Sequence, residues 1–220
     1  LPSRGLNAPE NGRVSETSRT EAFSDGVLAI AITLLVLDLR VPARDTLQGL
    51  SLGAALSHEW PAYAAYVTSF LVIGIIWVNH HGVFNLLGRV DRVTQFLNLL
   101  LLMTVVAIPF TTALMSEYLT AGDRDAHTAA LVYSAVMLAM STGFAALYTY
   151  LSRHPRLLAE GVDPAAVRAS TVRFSAVGTL LYLITLGIAV LSAPLCLLAH
   201  LVIALYYCFQ QIRPQLRPVG

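Results

Sequence analysis

The sequence predicts an all-α polytopic membrane protein with six transmembrane helices and both termini in the cytoplasm. Three observations predict it. Of the 220 residues 56% are hydrophobic and only 12% charged, against ~25% charged in a soluble domain. The apolar residues gather into six long segments separated by Pro, Gly and charged breaks. The arginines fall almost entirely on one side of those segments, and the chain has no lysine.

Residues 1–18 are polar, with Gly, Pro and Ser and no apolar stretch, so they are expected to form a flexible cytoplasmic tail. The remainder, 19–220, reads as one six-helix transmembrane domain. Its first segment is 22–39. The run from Phe23 to Leu39 rises about 25 Å as a helix, enough to cross a bilayer core with little tilt; Pro42 follows it. Trp60-Pro61 opens the second segment, 60–81, and Gly88 to Arg92 separates it from the third, 93–116, where Pro109 predicts a kink. The charged break at 121–125 leads to the fourth, 127–151. Ser152 begins the longest loop, expected to run to about Ser170. The fifth and sixth segments, 171–191 and 195–211, are joined by Ser192-Ala-Pro194 and should form a close hairpin.

Orientation follows from charge. Eleven arginines lie in the N-terminal region, the 82–92 loop, the 152–170 loop with Arg173, and the C-terminal tail, against three (Arg40, Arg44 and Arg124) on the other side. The positive-inside rule places both termini in the cytoplasm. A net charge of +1, with no basic patch interleaved with aromatics, argues against nucleic-acid binding. Cys196 and Cys208 would sit about 18 Å apart along one helix, too far for a bridge. They also lack partners at zinc-ligand spacing, so they read as core-filling thiols.

Chemistry concentrates at the start of the first segment. At about 100° per residue, Phe23, Val27, Ile30, Leu34 and Leu37 form a bulky apolar stripe. Ala22, Gly26, Ala29 and Thr33 form a small-residue stripe beside it, a face suited to close helix packing. Asp25 points roughly opposite the bulky stripe. On these residues alone the bulky stripe reads first as a lipid-facing surface. Asp25 could be only a first-turn carboxylate favoured by the helix dipole, and Ser24 only a cap.

A second cluster, Trp77-Val-Asn-His-His81, ends the second segment at the same cytoplasmic depth. Trp77, His80 and His81 fall at i, i+3 and i+4, on one side of a helix. Their ring N–H groups could meet Asp25 and the Ser24 hydroxyl, so a polar network tying the first two helices together is expected. Metal binding would need a third or fourth ligand at regular spacing, and none is visible. His200 reads as an interhelical hydrogen-bonding residue, and the Ser and Thr residues inside the segments can bond back to their own helices.

The pattern RxxxFSDGxxAIxxTLLVL, carried by Arg19, Phe23, Ser24 and Asp25, followed by WxxHH on the next helix, resembles the endosomal and lysosomal potassium channel family (transmembrane protein 175 type), in its bacterial single-repeat form. The motif match covers the first two helices; the last four agree in number and length. The resemblance implies a homotetramer of six-helix subunits in a bacterial inner membrane, with a central pore lined by the first helix. It implies a constriction of aliphatic rings at Ile30, Leu34 and Leu37, with Thr33 contributing to selectivity. It also implies that Arg19, Phe23, Ser24, Asp25, Trp77, His80 and His81 form the motif network. Potassium, and with it other monovalent cations or protons, would be the permeant species, with no cofactor. No TVGYG-like run occurs, so a filter built of backbone carbonyls is not expected. A narrow aliphatic ring can instead gate by dewetting.

Two rival classes are weaker. A secondary transporter or proton pathway using Asp25, His80 and His81 would be expected to show internal repeats and broken helices, and the FSD segment has no second copy. An intramembrane serine protease would need a motif such as GxSG, which is absent. No enzymatic activity is expected.

Overall fold

The computed structural model describes residues 16–43, 49 and 51–212, apart from the side chains of residues 123, 170–175 and 210–212. Most of the expected N-terminal tail, as far as residue 15, lies outside the described residues, as do Arg44, Arg213 and Arg217. Among the described residues the chain is helical throughout, with one isolated antiparallel bridge between Leu87 and Leu158.

Helix α1 spans Glu16–Leu34 and tightens into a 3-10 turn at Leu35–Asp38. It begins ahead of the expected residue 22 because its first turns are polar and invisible to hydropathy. Glu16 at the helix start is favoured by the dipole, and the Thr20 hydroxyl donates to the Glu16 carbonyl at 2.9 Å. A short helix, α2 (Leu52–His58), was not expected. Ser51 caps it, its hydroxyl accepting the Ala54 N–H at 3.2 Å. Helix α3 runs Trp60–Phe84, with Pro61 in its first turn where no N–H is needed.

At the kink expected from Pro109 the helix is interrupted at a single residue. Helix α4 (Arg92–Val106) ends at Ala107 and α5 (Ile108–Tyr118) restarts there. Proline has no N–H to give to the carbonyl four residues earlier, that of Val105, which accepts the Ala107 N–H instead. Helix α6 is Asp123–Arg153, α7 is Pro164–Leu191 and α8 is Ala193–Ile212. The loop expected to reach Ser170 is shorter, because Asp163 caps α7 by accepting the Ala165 N–H and Pro164 fits its first turn. Ser192 alone separates α7 from α8, and the two helices pack on each other as the expected hairpin.

Among the described residues four helical stretches are long and apolar enough to cross a membrane: Glu16–Asp38, Trp60–Phe84, Arg92–Tyr118 and Arg124–Arg153. Two shorter apolar helices, Ala176–Leu191 and Ala193–Phe209, follow. Helix α6 packs on α4, α5 and α7, while α3 packs on α1, α5 and α8. Gly143 lets α4 and α6 approach closely: a Cβ there would lie 3.2 Å from Leu101 Cδ1 and 3.4 Å from Leu101 Cα. The core between the helices is filled by Leu28, Ile73, Leu101, Tyr133 and Met137, all fully buried.

The loops after α3 and α6 are stitched together. The Gly88 and Arg89 N–H groups both donate to the Leu157 carbonyl, and the Ala159 N–H donates to the Leu86 carbonyl. A Cβ at Gly88 would lie 3.0 Å from the Leu158 carbonyl oxygen and 3.1 Å from Ala159 Cα. Both neighbours are backbone and cannot swing aside. Gly88→Val is therefore expected to cost about 1–3 kcal/mol, read as a lowered thermal midpoint in detergent.

Asp91 fastens α4 to α6 nearby. Its carboxylate accepts the Thr94 N–H at 2.9 Å, the Thr94 hydroxyl at 2.8 Å and the Tyr150 hydroxyl at 2.7 Å. Burial pushes this carboxyl up, but those hydrogen bonds and the nearby Arg156 charge together hold it below the ordinary value. A depressed carboxylate stabilises the fold above the unfolded pKa and loses that contribution as pH falls through the folded one. The stability gap between wild type and Asp91→Asn should stay constant from neutral pH to about pH 4 and close below it. Denaturation series at several pH values would check this.

Candidate functional site

On α1 one stripe is buried within the subunit: Ser24, Leu28, Ala31 and Leu35, at i, i+4, i+7 and i+11. The bulky stripe lies outside. Ile30 is 61%, Leu34 40% and Leu37 72% exposed, and Phe23 is exposed as well. The small-residue stripe, expected to be a packing face, is also exposed at Ala22, Gly26, Ala29 and Thr33. The neighbours within the chain, α3 and α4, take up the side carrying Ser24 and Leu28 instead. The Thr33 hydroxyl bonds back to the Ala29 and Ile30 carbonyls, both at 2.9 Å.

The expected link between α1 and α3 is present and runs as two rungs. Trp77 Nε1 donates to Asp25 Oδ1 at 3.1 Å, and His81 Nδ1 donates to Glu21 Oε1 at 2.7 Å. The geometry is that of antiparallel helices: Glu21 and Asp25, four apart on α1, meet His81 and Trp77, four apart on α3. These rungs sit at a partly exposed edge.

His80 takes another path, through a residue that sequence reasoning missed. Its Nε2 lies 2.8 Å from Asn98 Oδ1 on α4, and Asn98 Nδ2 donates to Ser24 Oγ at 2.9 Å. Ser24 Oγ in turn donates to the Thr20 carbonyl at 2.9 Å. With the Asn98 amide oriented to donate to Ser24, its oxygen must accept, so His80 carries its proton on Nε2. Its Nδ1 is buried without a partner, and the ring stacks on Phe84 at 4.4 Å. His80, Asn98 and Ser24 are all buried, so this relay joins three helices away from water. A polar amide inside the run Leu97-Asn98-Leu99 was the available signal, since polar groups within spans are rarely idle. Glu21 was legible too, one turn before Asp25.

Of the other motif residues, Arg19 lines a groove with Glu16, Phe23, Gln95 and Leu99 and has no carboxylate partner among the described residues. Phe23 belongs to the exposed stripe rather than to the hydrogen-bonded set within the subunit. His200 is fully buried, but its hydrogen bond returns to its own helix, at the Cys196 carbonyl 2.8 Å away. The interhelical contacts of its ring are aromatic, with Tyr133 and Tyr182.

The chain is similar to known proteins. The profile of the family described as endosomal/lysosomal potassium channel TMEM175 matches residues 19–109, which hold both motif clusters and Asn98. A potassium channel of Streptomyces collinus is 55% identical over 199 residues, 90% of this chain and 95% of that protein. The crystal structure of a lysosomal potassium-selective channel TMEM175 homolog from Chamaesiphon minutus superposes with a TM-score of 0.80 at 38% identity, covering 90% of this chain and 98% of that one. The human endosomal/lysosomal proton channel TMEM175 is 42% identical over 98 residues, 41% of this chain and 19% of that protein. A relative matched from end to end and a family profile seated on the α1–α3–α4 network place this chain in the endosomal/lysosomal potassium channel TMEM175 family.

Proposed function

We propose that the chain is the subunit of a potassium-permeable cation channel, a homotetramer whose central pore is lined by α1. The observation that carries this reading is the two-sidedness of α1. One stripe is locked into the subunit by Ser24, Leu28, Ala31 and Leu35, while Ile30, Leu34 and Leu37 project outward. Such a helix suits the inner wall of a ring of copies. The exposed small residues Ala22, Gly26 and Ala29 would let adjacent α1 helices approach closely. The Streptomyces relative, matched over almost its whole length, is named a potassium channel, which supports the same ion here.

In this reading α1, α3, α4–α5, α6, α7 and α8 are six crossings of a bacterial inner membrane, with both termini in the cytoplasm. Ile30, Leu34 and Leu37 form successive aliphatic rings. Passage requires hydrating a constriction that holds water poorly, so the rings gate without a carbonyl filter. Thr33 stands one residue before Leu34 with its hydroxyl oxygen exposed beside the rings. The Trp77–Asp25 and His81–Glu21 rungs and the buried His80–Asn98–Ser24 relay fix the depth and rotation of α1 that this arrangement needs.

A second reading, proton permeation, draws on the human relative's name and on the paired His81 and Glu21 at the cytoplasmic end. The deciding experiment is the reversal potential of purified protein in planar bilayers under opposed potassium and sodium gradients. A shift toward the potassium equilibrium potential is expected. Current that follows only a pH gradient would replace the potassium reading with the proton one.

A further inference from the structure

A cavity on the far side of α3 from the α1 network lies between α3, α6, α7 and α8. Its volume is about 70 Å³. Val72, Ile76, Met140 and Ala204 wall its buried end, while Ile75, Phe144, Tyr148 and Tyr207 stand half-buried around it. Among the described residues no charged side chain lines it.

Its polar groups set it apart from an ordinary packing defect. Every other buried polar side chain among the described residues has a hydrogen bond: Thr68 and Thr185 to their own helices, for example, and Ser69 to Tyr133. Ser141, 8% exposed, has none among the described residues, and neither has the Tyr182 hydroxyl, although Tyr182 is 7% exposed. Both line this cavity. Gly178 lets two hydroxyls of the lining come close to the α7 backbone: a Cβ there would lie 3.2 Å from Ser141 Oγ and 3.5 Å from Tyr207 Oη. A hydroxyl left unpaired inside an apolar bundle costs several times what a made hydrogen bond contributes. Convergent hydroxyls in an apolar cavity are the lining of a small-molecule site.

We infer that this cavity binds an uncharged, mainly apolar molecule carrying a single hydroxyl head, such as a phenol or a short alcohol drawn from the bilayer. The head meets Ser141, Tyr182 and Tyr207. The cavity has room for a head and a few waters, at roughly 10–15 Å³ each, but not for a whole aromatic ring, which needs about 150 Å³. The apolar body therefore lies in the mouth against Phe144 and Ile75. An anion or cation would lose its hydration there with no counter-charge in return. Asn79 also lines the cavity. It sits on the same turn of α3 as Trp77, His80 and His81, so occupancy acts on the turn that holds α1 and is expected to alter ion flux.

The test is binding of 4-fluorophenol to the purified full chain, followed by fluorine NMR, with wild type, Gly178→Ala and Ser141→Ala side by side. Saturable binding is expected in wild type. Gly178→Ala pushes the Ser141 and Tyr207 hydroxyls out of place and should weaken binding at least tenfold. Ser141→Ala keeps the shape, protects the test against misfolding of the first variant, and should weaken binding about three- to tenfold. 4-Fluorotoluene, which lacks the hydroxyl, should bind wild type more weakly than the phenol and be indifferent to Ser141→Ala. Equal affinities across the three proteins, equal affinities for phenol and toluene, or partition into micelles without saturation would each overturn the site. Because binding is read directly, these outcomes stand whether or not the protein conducts potassium.

Discussion

Replacing Ile30 with Asn is expected to raise cation flux through the reconstituted protein at least tenfold and to reduce its preference for potassium over sodium. The size of the effect follows from the position of Ile30 within α1. It is 61% exposed in the subunit although it sits mid-helix in an apolar run, so its side chain supports nothing inside the fold. The structural cost of the change is therefore small. In the proposed tetramer, with its pore lined by α1, four such side chains would form the ring that excludes water. An amide there offers donors and acceptors to a hydrated ion. Only about 1.4 kcal/mol off the passage barrier makes a tenfold change in rate, and four amides replacing four butyl groups should exceed that. Leu34→Asn should act in the same direction, while Leu28→Asn, on the buried stripe, should disrupt folding without opening anything. Liposome flux with potassium and sodium measured separately is the test. An Ile30→Asn protein that assembles normally and shows wild-type flux and selectivity would remove Ile30 from the constriction.

The contrast between Ile30 and Leu28 also marks how far the sequence could be read. Helical periodicity grouped Ile30, Leu34 and Leu37 on one stripe but did not single out the buried one of Ser24, Leu28, Ala31 and Leu35; of Trp77, His80 and His81, only Trp77 and His81 meet α1 directly. Which face met the partner was not legible. The small stripe of Ala22, Gly26 and Ala29 fits packing against any neighbour, inside the chain or in another copy, and periodicity does not distinguish the two. The Pro109 break was visible because proline acts locally, through its missing N–H. The early start of α1 and the extension of α7 to Pro164 were hidden because polar helical turns outside the hydrocarbon leave no hydropathy signal. Asn98 was overlooked for a different reason. A lone amide in a leucine run has no pattern, and its meaning appears only once the fold brings His80 and Ser24, far apart in sequence, to either side of it.

Asn98 should consequently be the residue whose loss most damages the subunit, more than the motif acid Asp25. Asn98→Leu keeps the volume but removes both hydrogen bonds, leaving the buried His80 N–H without an acceptor and Ser24 Oγ without its incoming donor. At about 1–3 kcal/mol for each buried group left unsatisfied, the loss is about 2–6 kcal/mol, a large part of the 5–15 kcal/mol typical of a folded domain. Asp25→Ala removes one hydrogen bond, at 3.1 Å, from a tryptophan that is half exposed. The cost within the subunit should stay near 1 kcal/mol, so any larger defect must come from assembly. The two variants therefore separate folding from assembly: Asn98→Leu should lower the thermal midpoint of solubilised protein steeply, whereas Asp25→Ala should shift it little and show its effect in the size of the assembled complex. The relay also predicts coupling. Adding His80→Leu to Asn98→Leu removes the stranded N–H along with its acceptor, so the double variant should be less damaged than the sum of the singles. Strict additivity would mean that His80 and Asn98 contribute independently, and the relay would then be a contact without energetic consequence.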